Sequence, residues 1–238
     1  MRADTFARLV MLEAVVDAEV GWRLEHPAAD AREFREGMIA RVSDLVDQID
    51  ALDAVAAARV YDAVVDFLAE LPDEGDDDAT VEATLRFRRA VDRVVDRAMA
   101  PRDLEDPSTW AVVLDELLEE TLSAYRASVD EGGVEPRGYL RCLLLLTRAQ
   151  AAGERMLAGV RAERRPELRS ALDRLAFAVR NRRPPSPEVE RLAALPQRVA
   201  RRHRPTNLSR IGAFIVGQLM RPRGRDPRPR TDSREERR

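Results

Sequence analysis

The sequence predicts an all-α protein, a multi-helix bundle of about seven to nine helices followed by a disordered Arg-rich C-terminal tail. Three observations lead to this prediction. Ala, Val, Leu and Arg dominate the composition, only 5% of the 238 residues are aromatic, and 14 prolines divide the chain into long intervals. Proline ends helices because it lacks an N–H and clashes with the preceding turn. Apolar residues within the intervals recur at helical spacing, and no strand of normal length can be recognised.

The first 100 residues are expected to form four helices. The first covers about 4–25, with apolar residues near helical spacing. The interval 28–71 is too long for one straight helix, and we expect a break near Asp53, whose carboxylate can cap a second segment. The run DEGDDD at 73–78 predicts a solvated loop, followed by a helix over about 80–100.

Later helices are marked by caps and first-turn prolines. Asp106 followed by Pro107 predicts a helix start, because proline is favoured at the first helical position. The segment 137–165 is expected to be the most apolar element and the central core helix. A further helix is predicted over 166–182, and Ser186 is the expected cap of a short helix that follows a proline-rich stretch.

The predicted domain organisation follows composition and charge. A helical bundle over 1–183 divides into an acidic part, 1–135, and basic core helices, 136–183. A linker and short basic amphipathic helices follow over 184–220. The tail at 221–238 has 8 Arg, 4 acids and no aliphatic or aromatic residue. Such a segment cannot bury enough apolar surface to offset its ordering entropy, so disorder is predicted there.

Opposite charges occupy the two ends of the chain. All 40 basic residues are Arg, since the sequence contains no Lys. Residues 1–135 hold 33 acids and 14 Arg, a net charge of −19, whereas 136–238 hold 10 acids and 26 Arg, a net charge of +16. The two parts neutralise each other, within one bundle or across a homodimer, or they are solvated faces with counterions, or the basic part meets an external polyanion.

Several classes of chemistry are excluded by residue types. Without Lys the chain has no Schiff-base lysine and no phosphate-loop lysine. One Cys and two His cannot build a closed zinc site or a disulfide framework. Cys142 lies in an apolar run, which is typical of a buried, inert thiol. We therefore predict no catalytic residue, no metal ligand and no cofactor.

The carboxylates of the chain suggest an enzyme, which is the weakest of three functional hypotheses for this sequence. A Mg²⁺-dependent helical-cup enzyme would need several acids to converge in a pocket. Asp44, Asp47, Asp50 and Asp53 recur every third residue, and a second group occupies 73–78. Steps of three drift around a helix, so a solvated face and a solvated loop are the favoured interpretations of these acids.

The C-terminal arginines are the candidate anion-binding or nucleic-acid-binding residues. Arginine suits phosphate because its planar fork bonds in a bidentate manner and never deprotonates. The candidates are Arg198, Arg201, Arg202, Arg204, Arg210, Arg221, Arg223 and Arg225. Phe214 is the one aromatic residue in this region, which argues against base stacking. A tail that merely keeps the protein soluble is the alternative.

Taken together, these features predict a non-catalytic helical regulatory or adaptor protein that acts through protein–protein association, with a protein partner or a homo-oligomer. Binding of nucleic acid or an anionic surface through the C-terminal segment is the alternative.

The longest apolar runs, 142–146 and 211–220, are shorter than the roughly 20 residues of a membrane-spanning helix. No secretory signal is recognised, so a cytoplasmic location is expected, and peripheral contact with an anionic membrane stays open.

Overall fold

Helices make up almost all of the described structure, which confirms the predicted all-α class. The computed structural model describes residues 2–26, 31–72, 77–130, 133–183 and 185–204. Together they form one compact unit. The expected disordered tail at 221–238 and the predicted amphipathic segment after residue 204 lie outside the described residues.

Nine α-helices lie within these ranges. In chain order they are α1 (Ala3–Glu25), α2 (Ala31–Leu52), α3 (Ala54–Glu70), α4 (Asp77–Ala98), α5 (Pro101–Glu105), α6 (Pro107–Ser128), α7 (Pro136–Met156), α8 (Arg165–Arg180) and α9 (Pro187–His203). Two-residue strands, β1 (Val129–Asp130) and β2 (Gly133–Val134), pair antiparallel between α6 and α7. Two 3₁₀ turns, Leu157–Gly159 and Ala162–Arg164, connect α7 to α8.

The three predicted helix caps are confirmed. The Asp53 carboxylate accepts a hydrogen bond from the Ala56 N–H at 3.0 Å and separates α2 from α3. Asp106 accepts from the Ser108 N–H at 2.8 Å. The Ser186 hydroxyl accepts from the Val189 N–H at 3.5 Å. Side-chain oxygens at these positions satisfy N–H groups that the first helical turn leaves without partners.

Three predicted elements differ from the structure. Asp77 and Asp78, expected in the solvated loop at 73–78, form the first turn of α4. The helix expected over 137–165 ends at Met156, where the turns begin that lead to α8. A Cβ at Gly159 would lie 2.7 Å from the Pro107 Cβ, so this connection packs closely against the start of α6. The helix after Ser186 is not short: α9 has 17 residues and continues through Pro196, which is buried.

The core is centred on α1, α6 and α7, which pack against one another. Their largest fully buried side chains are Leu9, Leu12, Leu114, Leu117, Leu118, Tyr125, Leu145, Leu146 and Met156. On one side, α2 and α4 pack against α1, and α3 rests on α2 and α4. On the other side, α8 and α9 pack against each other and against α7 and α6. None of the helices in the described ranges combines the length and hydropathy needed to cross a bilayer.

Candidate partner-binding surface

Helix α3, and not α7 as expected from the sequence, is the most apolar of the long helices, yet it lies at the edge of the bundle. Thirteen of its 17 residues are Ala, Val, Leu, Phe or Tyr. Its inner face packs on α2 and α4 through residues that include Val60, Val64 and Phe67. A helix on a protein surface normally has one apolar stripe and an opposite polar face. Helix α3 is apolar on both sides.

The outward side of α3 carries a continuous apolar stripe. Residues 54, 58, 61, 65 and 69 follow steps of three and four and therefore share one face of the helix. Tyr61 and Val65 in this stripe are 59% and 45% exposed, and Val55, which is 64% exposed, lies on the side of the helix that carries Asp62. Within the described residues, nothing packs over this stripe. We call residues 54–69 on this side the α3 face.

Helix α2 extends the α3 face along one border. The Arg35 guanidinium donates a hydrogen bond to the Leu71 carbonyl just after α3, so this edge of α2 borders α3. Ile39 lies one turn further along α2 and is 47% exposed. Val46, two turns beyond Ile39, is half-buried. The apolar surface is therefore broader than one helix.

On the exposed edge of α3, three acids, Asp62, Asp66 and Glu70, outnumber the single basic residue, Arg59. Residues 31–70 contain nine acids and four Arg, a net charge of −5. Asp62 and Asp66 line the outer edge of α3 and have no basic partner among the residues that the structure describes. Glu70 pairs with Arg86 of α4 at 2.8 Å. An occupant of this face therefore meets apolar surface bordered by negative charge.

A groove of about 530 Å³ separates α3 from α4 beside this face. Its charged lining residues are three acids and three arginines: Asp66, Glu70, Asp92, Arg86, Arg89 and Arg93. Because the charges balance, the groove itself favours neither a cationic nor an anionic ligand. Asp66 belongs to this balanced set, which leaves Asp62 of α3 and the exposed Asp47 and Asp50 of α2 as acids outside the groove.

The acids considered for magnesium do not converge. Asp44, Asp47 and Asp50 lie exposed on α2, while Asp53 is occupied as the cap of α3. In the second group, Asp77 and Asp78 form the first turn of α4, and 73–76 lie outside the described residues. Across the described ranges, no group of three or more His, Cys, Asp or Glu residues is placed to hold a metal ion.

Two of the candidate anion-binding arginines form ion pairs within the bundle. Asp115 of α6 is buried, with a side chain that is 3% exposed. Arg201 donates to it through Nε at 3.1 Å, and Arg204 donates through Nη2 at 3.0 Å. Arg204 also reaches Glu116 at 2.8 Å. These two guanidinium groups attach the end of α9 to α6.

Two other candidates remain exposed on α9. Arg198 donates through Nε to the Ala194 carbonyl within its own helix, and neither Arg198 nor Arg202 has an acidic partner in the described part of the chain. Arg191 is similarly exposed and shares their face, because the three positions are separated by seven and four residues. Arg210, Arg221, Arg223 and Arg225 lie outside the described residues.

Ion pairs join the acidic and basic parts of the chain inside the bundle. Arg148 of α7 donates to Asp17 of α1 at 3.0 Å. Arg141 of α7 pairs with Glu120 of α6. Arg137 of α7 binds Glu19 of α1, which is almost fully buried. Neutralisation within one chain, one of the alternatives left by the charge pattern, is therefore observed for these groups.

The single cysteine is buried as its apolar context predicts. Cys142 is fully shielded from solvent, and its Sγ donates to the Thr121 carbonyl at 3.6 Å. Burial raises the pKa of this thiol to about 12. The thiolate form that attacks electrophiles or binds metals is disfavoured there.

The α3 face was not identified from the sequence, although the signal was present. The 54–70 segment shows apolar residues nearly all around the helix and four charged residues along one side. Such a pattern predicts either a buried helix or a surface helix whose outer side binds a partner. Comparison of the chain with protein-family models, curated proteins and solved structures finds no match.

Proposed function

We propose that this protein is a non-catalytic helical adaptor that acts through protein–protein association, and that its α3 face binds a basic amphipathic helix of a partner protein. The observation that carries the proposal is the exposed apolar stripe on a helix whose opposite side is already buried. Amphipathic helices bind such surfaces through residues at i, i+3, i+4 and i+7. Tyr61 occupies the middle of the stripe, and tyrosine is enriched among residues that dominate binding energy.

Charge favours a basic partner over a second copy of this chain. A two-fold dimer brings the same patch of both copies together. Asp62 and Asp66 of one copy would then approach the same acids of the other, and the like charges would oppose association. Arg or Lys residues flanking the apolar side of a partner helix would instead pair with these acids.

The test is the binding of two designed helical peptides to the full-length protein. Both peptides have about 18 residues, or five turns, with Leu at alternating steps of three and four. One carries Arg beside the Leu stripe and the other carries Glu. We expect the Arg peptide to bind at least about tenfold more tightly, and its affinity to fall between about 0.05 and 0.5 M salt as the charges are screened. Equal affinities would contradict the basic-partner assignment.

Matched variants locate the binding surface. Tyr61→Ala should weaken binding of the Arg peptide about tenfold or more, as expected for loss of a central aromatic anchor. Phe177→Ala is the control, because Phe177 of α8 is 58% exposed, like Tyr61, but lies on another helix. If both variants bind like the unmodified protein, the α3 face is not the binding surface.

A second candidate function is polyanion binding by α9. The exposed stripe of Arg191, Arg198 and Arg202 supports it, since three guanidinium groups share one face and lack acidic partners in the described ranges. Binding of the full-length protein to duplex DNA would be titrated with salt. The slope of log K against log salt should be reduced by about two in a variant with Arg198→Gln and Arg202→Gln, because each lost phosphate contact removes about one unit. An unchanged slope would assign any binding to other residues.

A further inference from the structure

A cleft of about 310 Å³ opens between α1, α4 and α7, beside α5 and the start of α6. Its floor is apolar and includes Phe6 and Leu9 of α1, Val91 of α4 and Ala152 of α7, all of them buried. Val10, Val95 and Leu104 line its walls. The volume lies at the lower end of the range for small-molecule sites. The cleft is separate from the α3 face.

An unpaired carboxyl group lies within this cleft. Glu13 lines it and is half-buried, and among the described residues its carboxyl has no hydrogen-bond or ion-pair partner. Burial, helped by the nearby carboxylates of Asp92 and Asp17, raises the pKa of Glu13 to about 7 against the attraction of Arg148 and Arg88. A buried carboxylate without a partner is costly, and a cation would relieve that cost.

The nearest arginines do not supply this cation, because both are already paired. Arg148 also lines the cleft, but its Nη2 donates to Asp17 at 3.0 Å. Arg88 donates to the same carboxylate through Nε at 2.9 Å. Asp17 therefore holds both guanidinium groups and balances one of their two positive charges.

A tryptophan forms the opposite wall and is held in a fixed orientation. Trp110 donates through its indole N–H to the Leu104 carbonyl at 2.6 Å. Phe6 packs edge-on against its ring with centroids 5.3 Å apart. The Arg155 guanidinium covers the ring at 4.4 Å from its centroid. The wall therefore consists of an aromatic ring in a fixed orientation with the Arg155 cation over it.

Acids outnumber this cation at the cleft. Asp92 and Asp96, one turn apart on α4, line the rim and are exposed, and neither has a basic partner within the described ranges. When Glu13 is ionised, the charged groups in and around the cleft have a net charge of −1, from four carboxylates and three guanidinium groups: Glu13, Asp17, Asp92, Asp96, Arg88, Arg148 and Arg155. A bound anion would meet net repulsion, whereas a bound monocation would meet net attraction.

We propose that this cleft binds a small organic cation with an apolar body, such as an aryl-alkyl ammonium, whose charged nitrogen pairs with Glu13 and Asp92 while the body packs against Phe6, Leu9 and Val95. The ammonium donates hydrogen bonds to the two carboxylates. The apolar body replaces water over the hydrophobic floor, which is the usual source of affinity in such clefts.

Binding should strengthen as the pH rises from 6 to 8. The charged groups that face Glu13 are Asp17 from its own helix, Arg88 and Asp92 from α4, and Arg148 from α7. With a pKa of about 7, Glu13 is mostly protonated at pH 6 and mostly ionised at pH 8. An ammonium pairs with the ionised form, so affinity should rise about tenfold across this interval. The probe itself stays protonated throughout.

The experiment uses three probes of one shape: 2-phenylethylammonium, neutral 2-phenylethanol and anionic phenylacetate. Binding to the full-length protein is measured by calorimetry and by Trp110 fluorescence in a Trp22→Phe background, since the chain has two Trp residues. We expect saturable binding of the cation, at least tenfold weaker binding of the alcohol, and none of the anion. Equal binding of all three probes, or no saturable binding of the ammonium, would overturn the proposal.

One variant removes the Glu13 carboxylate, a second fills the mouth of the cleft, and a third serves as the control. Glu13→Gln should weaken ammonium binding at pH 8 at least tenfold and remove the pH dependence. Glu119→Gln, at an exposed acid of α6 without a described partner, should leave both unchanged. Ala151→Phe, at the exposed mouth of the cleft, should block the site without altering its charge. Unchanged affinity in Glu13→Gln or in Ala151→Phe would place the probe elsewhere.

Discussion

Glu19 and Arg137 are 118 positions apart in the chain and meet in the interior, where Arg137 donates through Nε to the Glu19 carboxylate at 2.7 Å. Arg41 of α2 binds the other carboxylate oxygen at 2.6 Å. The Glu19 side chain is 2% exposed, so one buried acid joins α1 to both α2 and α7. This arrangement resembles the pairing of Asp115 with two arginines at the other side of the bundle.

Glu19→Gln should destabilise the fold substantially. Removing one partner of a buried ion pair leaves the remaining charges without compensation, at a cost of about 3–5 kcal/mol. Urea denaturation measures the free energy of unfolding. The matched control is Glu154→Gln, because the pair between Glu154 and Arg169 is more than half exposed and should contribute less than about 1 kcal/mol. If both variants lose a similar amount of unfolding free energy, the burial of Glu19 does not increase the contribution of its ion pairs to stability.

Asp115→Asn should release the end of α9. Its neutral amide cannot pair with Arg201 and Arg204, so backbone amides near residues 199–204 should exchange faster with solvent, and stability should fall by about 3 kcal/mol. Hydrogen exchange followed by mass spectrometry measures the local effect. Glu190→Gln removes an exposed ion pair between Glu190 of α9 and Arg126 of α6 and serves as the control. Unchanged protection at the end of α9 in Asp115→Asn would contradict the structural role of this carboxylate.

Glu13 should make stability fall as the pH rises. Its pKa is raised from 4.5 to about 7 in the folded protein, so the folded state binds more protons than the unfolded state between these values. The free energy of unfolding therefore decreases through this window, by about 2–3 kcal/mol at pH 8. Glu13→Gln removes this loss of unfolding free energy, because the amide does not ionise.

Denaturation of this variant is measured at two pH values. The free energy of unfolding of Glu13→Gln should exceed that of the unmodified protein by about 1 kcal/mol or less at pH 5 and by about 2–3 kcal/mol at pH 8. Glu119→Gln should show no such pH-dependent gain. If the difference between Glu13→Gln and the unmodified protein is the same at both pH values, the carboxyl titrates normally.

Cys142 should resist modification until the protein unfolds. With the pKa raised to about 12 by burial, the thiolate fraction at pH 8 is lower than that of an exposed thiol by about three orders of magnitude. A colorimetric disulfide reagent should label the thiol in guanidinium chloride and leave it unlabelled in buffer over the same time. Rapid labelling of the native protein would show that this part of α7 opens readily.

Local signals explain which parts of the fold could be predicted. The caps at Asp53, Asp106 and Ser186 depend on residues within three positions of each other, and all three are found where the sequence places them. The length of α9 and the end of α7 depend on packing against other helices. Pro196 is tolerated inside α9 because the helix is held on α6 and α8, which a local pattern does not reveal.

The partners of the arginines could not be predicted in the same way. Arg201 and Arg204 have the same local context as Arg198 and Arg202, but their positions on α9 direct them to a buried acid of α6. In the sequence, an arginine that binds phosphate cannot be distinguished from one that forms an internal ion pair, because the difference depends on the position of the neighbouring helix. The same applies to Glu13, which is one of many acids in the sequence until α4 and α7 enclose it.

The sequence by itself determined the helical class, the positions of the caps and the separation of charge along the chain, because proline, capping residues and apolar spacing act over a few residues. Tertiary structure alone decided which carboxylates are buried, which arginines neutralise them, and that α3 presents an apolar face outward. These properties depend on helices that meet from distant parts of the chain, where burial changes the energy of each charge and the exposure of each apolar side chain.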